Sequence, residues 1–434
     1  MPKVAFYTLG CKVNQYESDA MAELFKSRGY DIVDFESVAD VYVINTCDVT
    51  NESARKSRQV LRKAARKNPN AIIAAVGCYA QLESEELSNI EGIDVIVGTR
   101  DRHRIVDLVE EAEKQNRQII AVKDIMEQHS FENIAFKGHR QKTRAFLKIQ
   151  EGCNMFCSYC IIPYARGPIR SRPIDSILQE VESLINDGFK EIVLTGIHLG
   201  LYGYDFGSKG PHLFDVILEL SKIKELKRIR LSSIEALELS DEFINGVAEL
   251  GNFCNHFHIP LQSGSDKILK LMHRRYDTGQ FKERIEYIRK HIKDVAITTD
   301  VIVGFPGESN EDFDESYNFI KEVGFSKLHV FPFSPRKGTP AAQMEGRVTK
   351  AIKEKRSTRL IELSHILEMS FRKNFEGKTM DVLFEDRIPD GMYEGLTTNY
   401  IKVRAKSDKD IRNQIIPVKF EQNYENYILG QIIE

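Results

Sequence analysis

What this chain lacks narrows its class before any motif is read. Neither sign of charge is in excess: 61 Lys and Arg stand against 64 Asp and Glu, a formal charge of −3. Bulk electrostatics therefore announce neither a polyanion nor a membrane surface, and any basic surface must be local. Long apolar runs are missing as well. The longest, around Ala71–Ala80, is about half the ~20 residues a membrane-spanning helix needs. The first apolar stretch, Val4-Ala5-Phe6-Tyr7, is too short for a secretory leader. Cysteine is sparse and odd in number, seven in all. Six of the seven are placed as ligands rather than as pairs, which argues against a disulfide framework and predicts a reducing, cytoplasmic setting. What remains is a chain of 434 residues, 42% apolar and 29% charged, ordinary for a soluble globular protein and long enough for about three domains.

The most informative stretch is Cys153-Asn-Met-Phe-Cys157-Ser-Tyr-Cys160, a C-x-x-x-C-x-x-C run. Iron–sulfur clusters are held by thiolates at short fixed spacings, and a four-iron cluster normally takes four. This run supplies three. Ile161-Ile162-Pro163-Tyr164 follows with no fourth thiol, and Cys254 is too distant to join and reads as a packed core thiol. A three-thiolate cluster leaves one iron open, which suits catalysis better than electron storage. Structural zinc is the competing reading, but zinc sites usually close a tetrahedron with paired C-x-x-C or mixed Cys/His sets, and no second pair lies nearby. The spacing resembles that of the radical S-adenosylmethionine enzymes, whose open iron binds the amino-acid end of the cofactor.

Residues 2–115 alternate apolar strands with helical patterns, as doubly wound α/β domains do. The predicted strands are Val4–Tyr7, Val41–Ile44, Ala71–Val76 and Val95–Val97, the last closing the sheet, with a helix over about Glu17–Ser27. Three of these strands run into Leu9-Gly10-Cys11, Asn45-Thr46-Cys47 and Gly77-Cys78. Parallel neighbours lie ~4.8 Å apart, so three such tips can converge on one small object, at the carboxyl edge where open α/β sheets bind ligands. Cys11, Cys47 and Cys78 thus form a second candidate triad. The bland alternative, three unrelated buried thiols, requires the same residue at three strand ends by accident.

Taken together, Thr8-Leu9-Gly10-Cys11-Lys12-Val13-Asn14-Gln15, Asn45-Thr46-Cys47, Val76-Gly77-Cys78 and the central cysteine run resemble the tRNA methylthiotransferases. That family consists of radical S-adenosylmethionine enzymes with an added amino-terminal cluster domain. The resemblance covers essentially the whole chain. It implies two 4Fe–4S clusters, S-adenosylmethionine as cofactor, a tRNA substrate, an electron donor and a sulfur source of unknown identity, and insertion of a methylthio group into an unactivated C–H bond.

From 139 to 369 the resemblance implies the radical S-adenosylmethionine core. The pattern itself reads β then α six times, predicting a partial (β/α)6 TIM-like barrel with its chemistry on the loops after the strands. Polar or glycine-rich phrases follow the predicted strands at Thr195-Gly196, Ser233 and Glu235, Gln262, and Gly304. Glycine admits close backbone approach to a ligand, and Ser, Glu and Gln can bond ribose hydroxyls or an amine. By resemblance, Thr195 and Gly196 face the methionine part and Tyr159 borders the adenine. Ser233, Glu235, Gln262 and Gly304 complete the expected cofactor contacts.

A helix starting near Thr50 or Asn51 carries Arg55, Lys56, Arg58, Arg62, Lys63, Arg66 and Lys67 with no acid among them. Arg55, Arg58, Arg62 and Arg66 recur at helical spacing, and such a stripe suits a phosphate backbone. Arg55, Arg58, Arg62, Lys63 and Arg66 are the predicted RNA contacts. Lys137, Arg140, Lys142, Arg144, Lys148, Arg274 and Arg275 are further basic candidates. A long helix over 348–374 leads to residues 372–434. There, alternating strands at Met380–Phe384, Asn399–Val403 and Ile415–Phe420 suit a small antiparallel β-barrel, which resembles the TRAM module of RNA-recognising proteins. The expected fold is α/β: a doubly wound cluster domain, a partial barrel and a small β-barrel.

Three substrates are open within the family: threonylcarbamoyladenosine beside the tRNA anticodon, isopentenyladenosine in tRNA, or a ribosomal protein aspartate. A non-catalytic RNA-binding iron–sulfur protein is the alternative outside it. Gly10-Cys11-Lys12-Val13-Asn14-Gln15-Tyr16-Glu17-Ser18 and Leu194-Thr195-Gly196-Ile197-His198-Leu199-Gly200 resemble the threonylcarbamoyl branch. Its carboxylate could pair with a basic residue such as Lys12 or Arg274. Two triads predict about eight irons per chain after anaerobic reconstitution. Replacing either triad with alanine should leave about half, measured as iron per protein; loss of all iron from one triple variant would mean a single shared cluster.

Overall fold

The computed structural model describes residues 1–134 and 143–433. The central strands of the first sheet, Val41–Thr46, Ile72–Gly77 and Val95–Val97, are short, apolar and buried on both faces, which is what a parallel sheet covered by helices demands. Strands β1 (Lys3–Thr8), β2 (Asp31–Val33), β3 (Val41–Thr46), β4 (Ile72–Gly77), β5 (Val95–Val97) and β6 (Ile119–Ala121) form one parallel sheet in the order β2-β1-β3-β4-β5-β6. The three cysteine-bearing strand ends are direct neighbours: Thr8 pairs with Asn45 and Thr46 with Gly77. Two short edge strands went unread. β2 has an exposed Asp-Ile pair, and β6, not β5, closes the sheet; three-residue edge strands carry too little periodicity to detect. The first helix also begins earlier than expected, at Lys12 and running to Ser27, directly after Cys11.

The second domain is built from β7 (Arg144–Lys148), a small hairpin β8 (Gln150–Glu151) with β9 (Arg170–Ser171), then β10 (Glu191–Thr195), β11 (Arg228–Leu231), β12 (His256–His258), β13 (Ala296–Val303) and β14 (Lys327–Pro332). Parallel pairing runs β7-β10-β11 and β12-β13-β14. Parallel bridges Ile229–Phe253 and Ser233–His258 join the halves. The result is the expected partial six-stranded barrel. Alternation sorts its faces. Ala145, Leu147, Ile192, Leu194, Ile229, Leu231, Phe257, Ile297 and Leu328 belong to one large buried apolar cluster with the surrounding helices. Arg144, Glu191, Arg228, Arg230, His256, His258, Thr298, Asp300 and His329 take the opposite face. The barrel lumen is therefore lined largely by charged and polar side chains, with Phe146 and Val193 among them.

A helix over Lys350–Lys373 leads to β15 (Thr379–Ile388), β16 (Met392–Leu396), β17 (Lys402–Lys406), β18 (Ile415–Asn423) and β19 (Ile428–Ile432). They close into a barrel in the order β15-β16-β17-β19-β18. Pairing is antiparallel except between β17 and β19. Asn399 and Tyr400 are not strand, as expected from alternation, but a turn before β17 in which Tyr400 has φ 67°. That turn plugs the floor of the lumen. The Tyr400 ring stacks on His256 at 4.7 Å and lies under the Arg230 guanidinium at 4.6 Å. Arg230 also donates to the Thr397 and Thr398 carbonyls, and Arg228 to those of Leu396 and Asp381.

The cluster domain is fastened to the barrel by a buried ion network. Glu17 of the first helix, Glu132 of the connecting segment and Glu151 of β8 meet Arg102, Lys148, Arg166 and Arg170. Arg166 donates to Glu17 at 2.5 and 3.0 Å and to Glu151 at 2.7 Å. Glu17, Glu151, Arg102 and Arg166 are nearly or fully excluded from solvent. Burial alone would raise the Glu17 carboxyl, but Arg102, Arg166 and Lys148 outweigh it and hold the group down at about 2, against an ordinary 4.5. The unfolded chain therefore binds the proton first as pH falls, so this contribution is complete above about 4.5 and is lost on the way to about 2. Removing one member leaves buried charges unpaired. Glu151→Ala should destabilise the apoprotein by about 3–5 kcal/mol, and Glu17→Gln should flatten the acid limb of stability against pH. Denaturant unfolding followed by circular dichroism across that range checks both; an unchanged midpoint in Glu151→Ala would contradict the network's role.

Candidate functional site

The amino-terminal triad is positioned by sharp turns at strand ends. Gly10 and Gly77, each directly before a cysteine, both have φ +100°. A Cβ at Gly77 would come within 2.4 Å of Asn45 Oδ1 and 2.8 Å of the Thr46 carbonyl, and one at Gly10 within 3.0 Å of Cys47 Sγ. Only glycine lets these chains turn so close to one another. All seven cysteines are free. With Thr8 paired to Asn45 and Thr46 to Gly77, the three cysteines follow neighbouring strand ends at one edge. Asn14 ties the turns together through its side-chain amide, which donates to the Leu9 and Thr46 carbonyls.

The second triad lies in the loop after the β7–β8 segment. Cys153 N–H donates to the Gly167 carbonyl and Cys160 N–H to that of Cys157, which curls the loop. Phe156 within it has φ 47°, a left-handed conformation that a bulky residue adopts only when its surroundings impose it. Burial pushes the Cys160 thiol up to about 12 and does the same to Cys78. Neither is a free thiolate at neutral pH, and iron would have to replace the proton. Among the described residues no group of three His, Cys, Asp or Glu side chains is gathered closely enough to hold one metal ion. A four-iron cluster makes a different demand, one thiolate at each of several separate irons, and two sets of three free thiols with N–H donors directed at them fit that donor chemistry.

Those donors are the residues the sequence did not disclose. Arg166 Nε donates to Cys78 Sγ at 3.2 Å, so a side chain six residues beyond Cys160 touches the other triad. Arg274 Nη1 reaches Cys157 Sγ at 3.5 Å while its other arm pairs with Glu235. His198 lies between Cys153 Sγ at 3.4 Å and Glu238 at 2.5 Å. Burial opposes its charge, but Cys153 and Glu238 raise it to about 10. Spacing cannot reveal such contacts, because the partners are 45 to 117 residues apart.

The expected cofactor residues follow consecutive strands at one end of the barrel, the end that carries the cysteine loop. Tyr159 is half-buried and edge-on to Phe305 at 6.5 Å. Gly196 packs against Gln150, where a Cβ would come within 2.9 Å of its side-chain oxygen. Thr195 is buried and its hydroxyl donates back to the Val193 carbonyl at 3.2 Å. Ser233 is exposed. Gln262 takes φ 67° while bridging to β13, a strained conformation for a non-glycine residue at a strand end. Gly304 has φ +71° and its amide donates to Glu308.

The basic helix, Asn51–Lys67, is less free than its sequence suggests. Arg55 pairs with Glu52 at 2.6 Å, Arg58 with Tyr79 and Glu86, and Lys63 and Lys67 with Glu36. Glu52 in the first turn of the helix itself, and Glu36 and Glu86 on neighbouring elements, complete these pairs. Arg62 and Arg66 stay exposed without acidic partners among the described residues. Of the other basic candidates, Arg144 is bound to Glu385 and Tyr400, Lys148 is in the buried network and Arg274 is buried against Glu235. Lys137, Arg140 and Lys142 lie outside the described residues.

Two family models match the chain: the radical SAM superfamily over residues 147–320 and an uncharacterized protein family, UPF0004, over 3–98. The Bacillus subtilis threonylcarbamoyladenosine tRNA methylthiotransferase MtaB is 45% identical over all of this chain and 97% of its own length. The Aquifex aeolicus protein of the same name is 40% identical over 94% and 98%. An Aquifex aeolicus tRNA-2-methylthio-N(6)-dimethylallyladenosine synthase is 34% identical over 98% of both. Among solved structures, the radical S-adenosylmethionine methyltransferase TsrM from Kitasatospora setae has the same fold with a TM-score of 0.58 at 13% identity, over 79% of this chain and 74% of that one. The chain belongs to the radical S-adenosylmethionine methylthiotransferases. Within them it falls in the branch whose members carry the name threonylcarbamoyladenosine tRNA methylthiotransferase. Its cofactors are S-adenosylmethionine and 4Fe–4S clusters.

The contact between Arg166 and Cys78 gives a prediction that does not depend on turnover. A hydrogen bond to a ligating sulfur tunes a cluster's potential by favouring its more negative, reduced state. Arg166→Lys retains the cation needed by Glu17 and Glu151 but loses the planar fork. The amino-terminal cluster should keep its iron and shift to a lower midpoint potential in a redox titration followed by electron paramagnetic resonance. An unmoved potential would mean that this N–H does not reach the cluster thiolate.

Proposed function

We propose that this chain methylthiolates threonylcarbamoyladenosine adjacent to the anticodon of tRNA, giving the 2-methylthio derivative. One observation carries the reading: six cysteines stand in two triads at strand ends, in a chain similar over its full length to methylthiotransferases of that name. In this reading Cys153, Cys157 and Cys160 would hold the cluster that engages S-adenosylmethionine, and Cys11, Cys47 and Cys78 would hold the second. When bound, S-adenosylmethionine at the first cluster supplies a 5′-deoxyadenosyl radical for hydrogen abstraction, and the second cluster supplies the sulfur site.

The chain's own groups bind and orient. Tyr159, Thr195, Gly196, Ser233, Glu235, Gln262 and Gly304 ring the barrel mouth and are the groups proposed to seat the cofactor. Arg274 pairs with Glu235 and fixes its carboxylate at that mouth. Arg62 and Arg66, the unpaired end of the basic stripe, meet the RNA backbone, with Arg55, Arg58 and Lys63 able to exchange surface acids for phosphates; exposed pairs of that kind contribute little. An electron donor and a sulfur source complete the reaction, in the cytoplasm. No helix among the described residues is long and apolar enough to cross a membrane.

Nucleoside analysis tests the assignment. Deleting the gene should abolish 2-methylthio-threonylcarbamoyladenosine in bulk tRNA and leave its unthiolated precursor, measured by mass spectrometry of digested tRNA. If the dimethylallyl nucleoside loses its methylthio group instead, the substrate assignment is wrong although the chemistry stands.

A further inference from the structure

Two aromatic rings meet in the open beside the second triad. Phe156 is 40% exposed and Tyr164 39% exposed. Their ring centroids lie 5.6 Å apart at an interplanar angle of 81°. Single exposed apolar side chains are common and call for no explanation. A touching pair on the segment that carries Cys153, Cys157 and Cys160 is a different case, because it presents two large apolar surfaces to solvent at one spot.

Both rings are firmly anchored. Phe156 stands between the thiols with φ 47°, and the loop around it is held from several sides. Cys153 N–H donates to the Gly167 carbonyl at 3.0 Å, Ser158 N–H to that of Met272 at 3.1 Å, and Ala341 N–H to that of Ser158 at 2.8 Å. The Ser158 hydroxyl donates to the Leu271 carbonyl at 2.7 Å. Tyr164 is the one exposed residue of the short helix Ile162–Arg166. Its neighbours fasten that helix to the cluster domain: the Thr99 hydroxyl donates to the Ala165 carbonyl at 2.5 Å, and Arg166 enters the buried network. Strained backbone persists only where its surroundings over-determine it, and it gathers at ligand clamps. The rings thus form a fixed, right-angled corner.

Such a corner fits a flat aromatic ligand, which stacks on one ring and meets the other edge-on. The family acts on tRNA, and RNA loops are read by splaying unpaired bases onto aromatic side chains. Position decides which base. Cys157 is buried and Cys153 and Cys160 are half-buried, whereas both rings are exposed, so the corner lies at the rim rather than over the thiols. We propose that Phe156 and Tyr164 form a stacking platform for an unpaired base of the anticodon loop, one that flanks the target adenosine. A base seated there ties the RNA to the loop carrying the Cys153 triad. Phosphate contacts by Arg62 and Arg66 fix the backbone and read no base. The inference rests on the tRNA substrate and not on which adenosine is modified.

The test is a cycle of ring and base. Affinities of reconstituted wild type, Tyr164→Leu, Tyr164→Phe and Phe156→Leu are measured for an anticodon stem-loop carrying threonylcarbamoyladenosine. The same is done for versions abasic just before or just after that nucleoside. Each leucine variant should bind the intact loop about five- to a hundredfold more weakly, the range for one lost base stack, and Tyr164→Phe should bind as wild type. On one of the two abasic loops wild type and both leucine variants should bind alike, since the base the rings hold is gone. Tyr164→Leu should keep the salt dependence of wild type, because stacking releases no counterions. Iron content is measured for each variant; Tyr164 lies outside the cysteine run and decides the matter if Phe156→Leu fails to load. Leucine variants that bind the intact loop like wild type, or that are weakened equally on all three loops, overturn the inference alone. A wild type that binds none of the loops overturns the tRNA reading and this inference with it.

Discussion

The structure depends on a buried charge network between the cluster domain and the barrel. Three carboxylates, Glu17, Glu132 and Glu151, meet four cations, Arg102, Lys148, Arg166 and Arg170. Such a network would stabilise less than a well-packed apolar core, because each buried ion is expensive to desolvate. What it supplies is a defined relation between two domains. The charges are satisfied in one docking arrangement, and the excess cation is directed at Cys78. The two halves of the chemistry are thereby held in register: a residue of the segment following Cys160 touches a ligand of the other triad. A second fastening lies across the mouth, where Arg336, in the loop after β14, binds Asp48 and Asn51 of the cluster domain.

The same logic operates at the floor of the barrel. Here the inner faces carry Arg, Glu and His, and the small carboxyl-terminal barrel closes the bottom by inserting Tyr400 between His256 and Arg230. The module expected to recognise RNA thus also completes the lumen from below.

Much of this was legible in the sequence because the relevant signals are local. A cysteine directly after an apolar strand declares its own position, so both triads could be read before the fold was known. The six barrel strands could be read too, each bounded by polar or glycine-rich turns. Signals that depend on distant partners were not legible. Arg166 carries no mark distinguishing it from a surface arginine. The basic helix looked free because Glu36 and Glu86, which neutralise part of it, are on other elements. Arg274 looked like a phosphate contact and is a buried partner of Glu235. Asn399 and Tyr400 read as strand because their neighbours alternate, whereas docking against Arg230 turns the chain there.

The central claim is that the buried network locks the two triads in one fixed relation, rather than leaving them on domains that swing. Pulsed electron paramagnetic resonance between the two reduced clusters of the reconstituted enzyme measures this directly. The account predicts one narrow distribution of inter-cluster distances, unchanged when tRNA binds and broadened when Glu151 is replaced. A broad distribution in the wild type, or one that narrows only with tRNA, would contradict it.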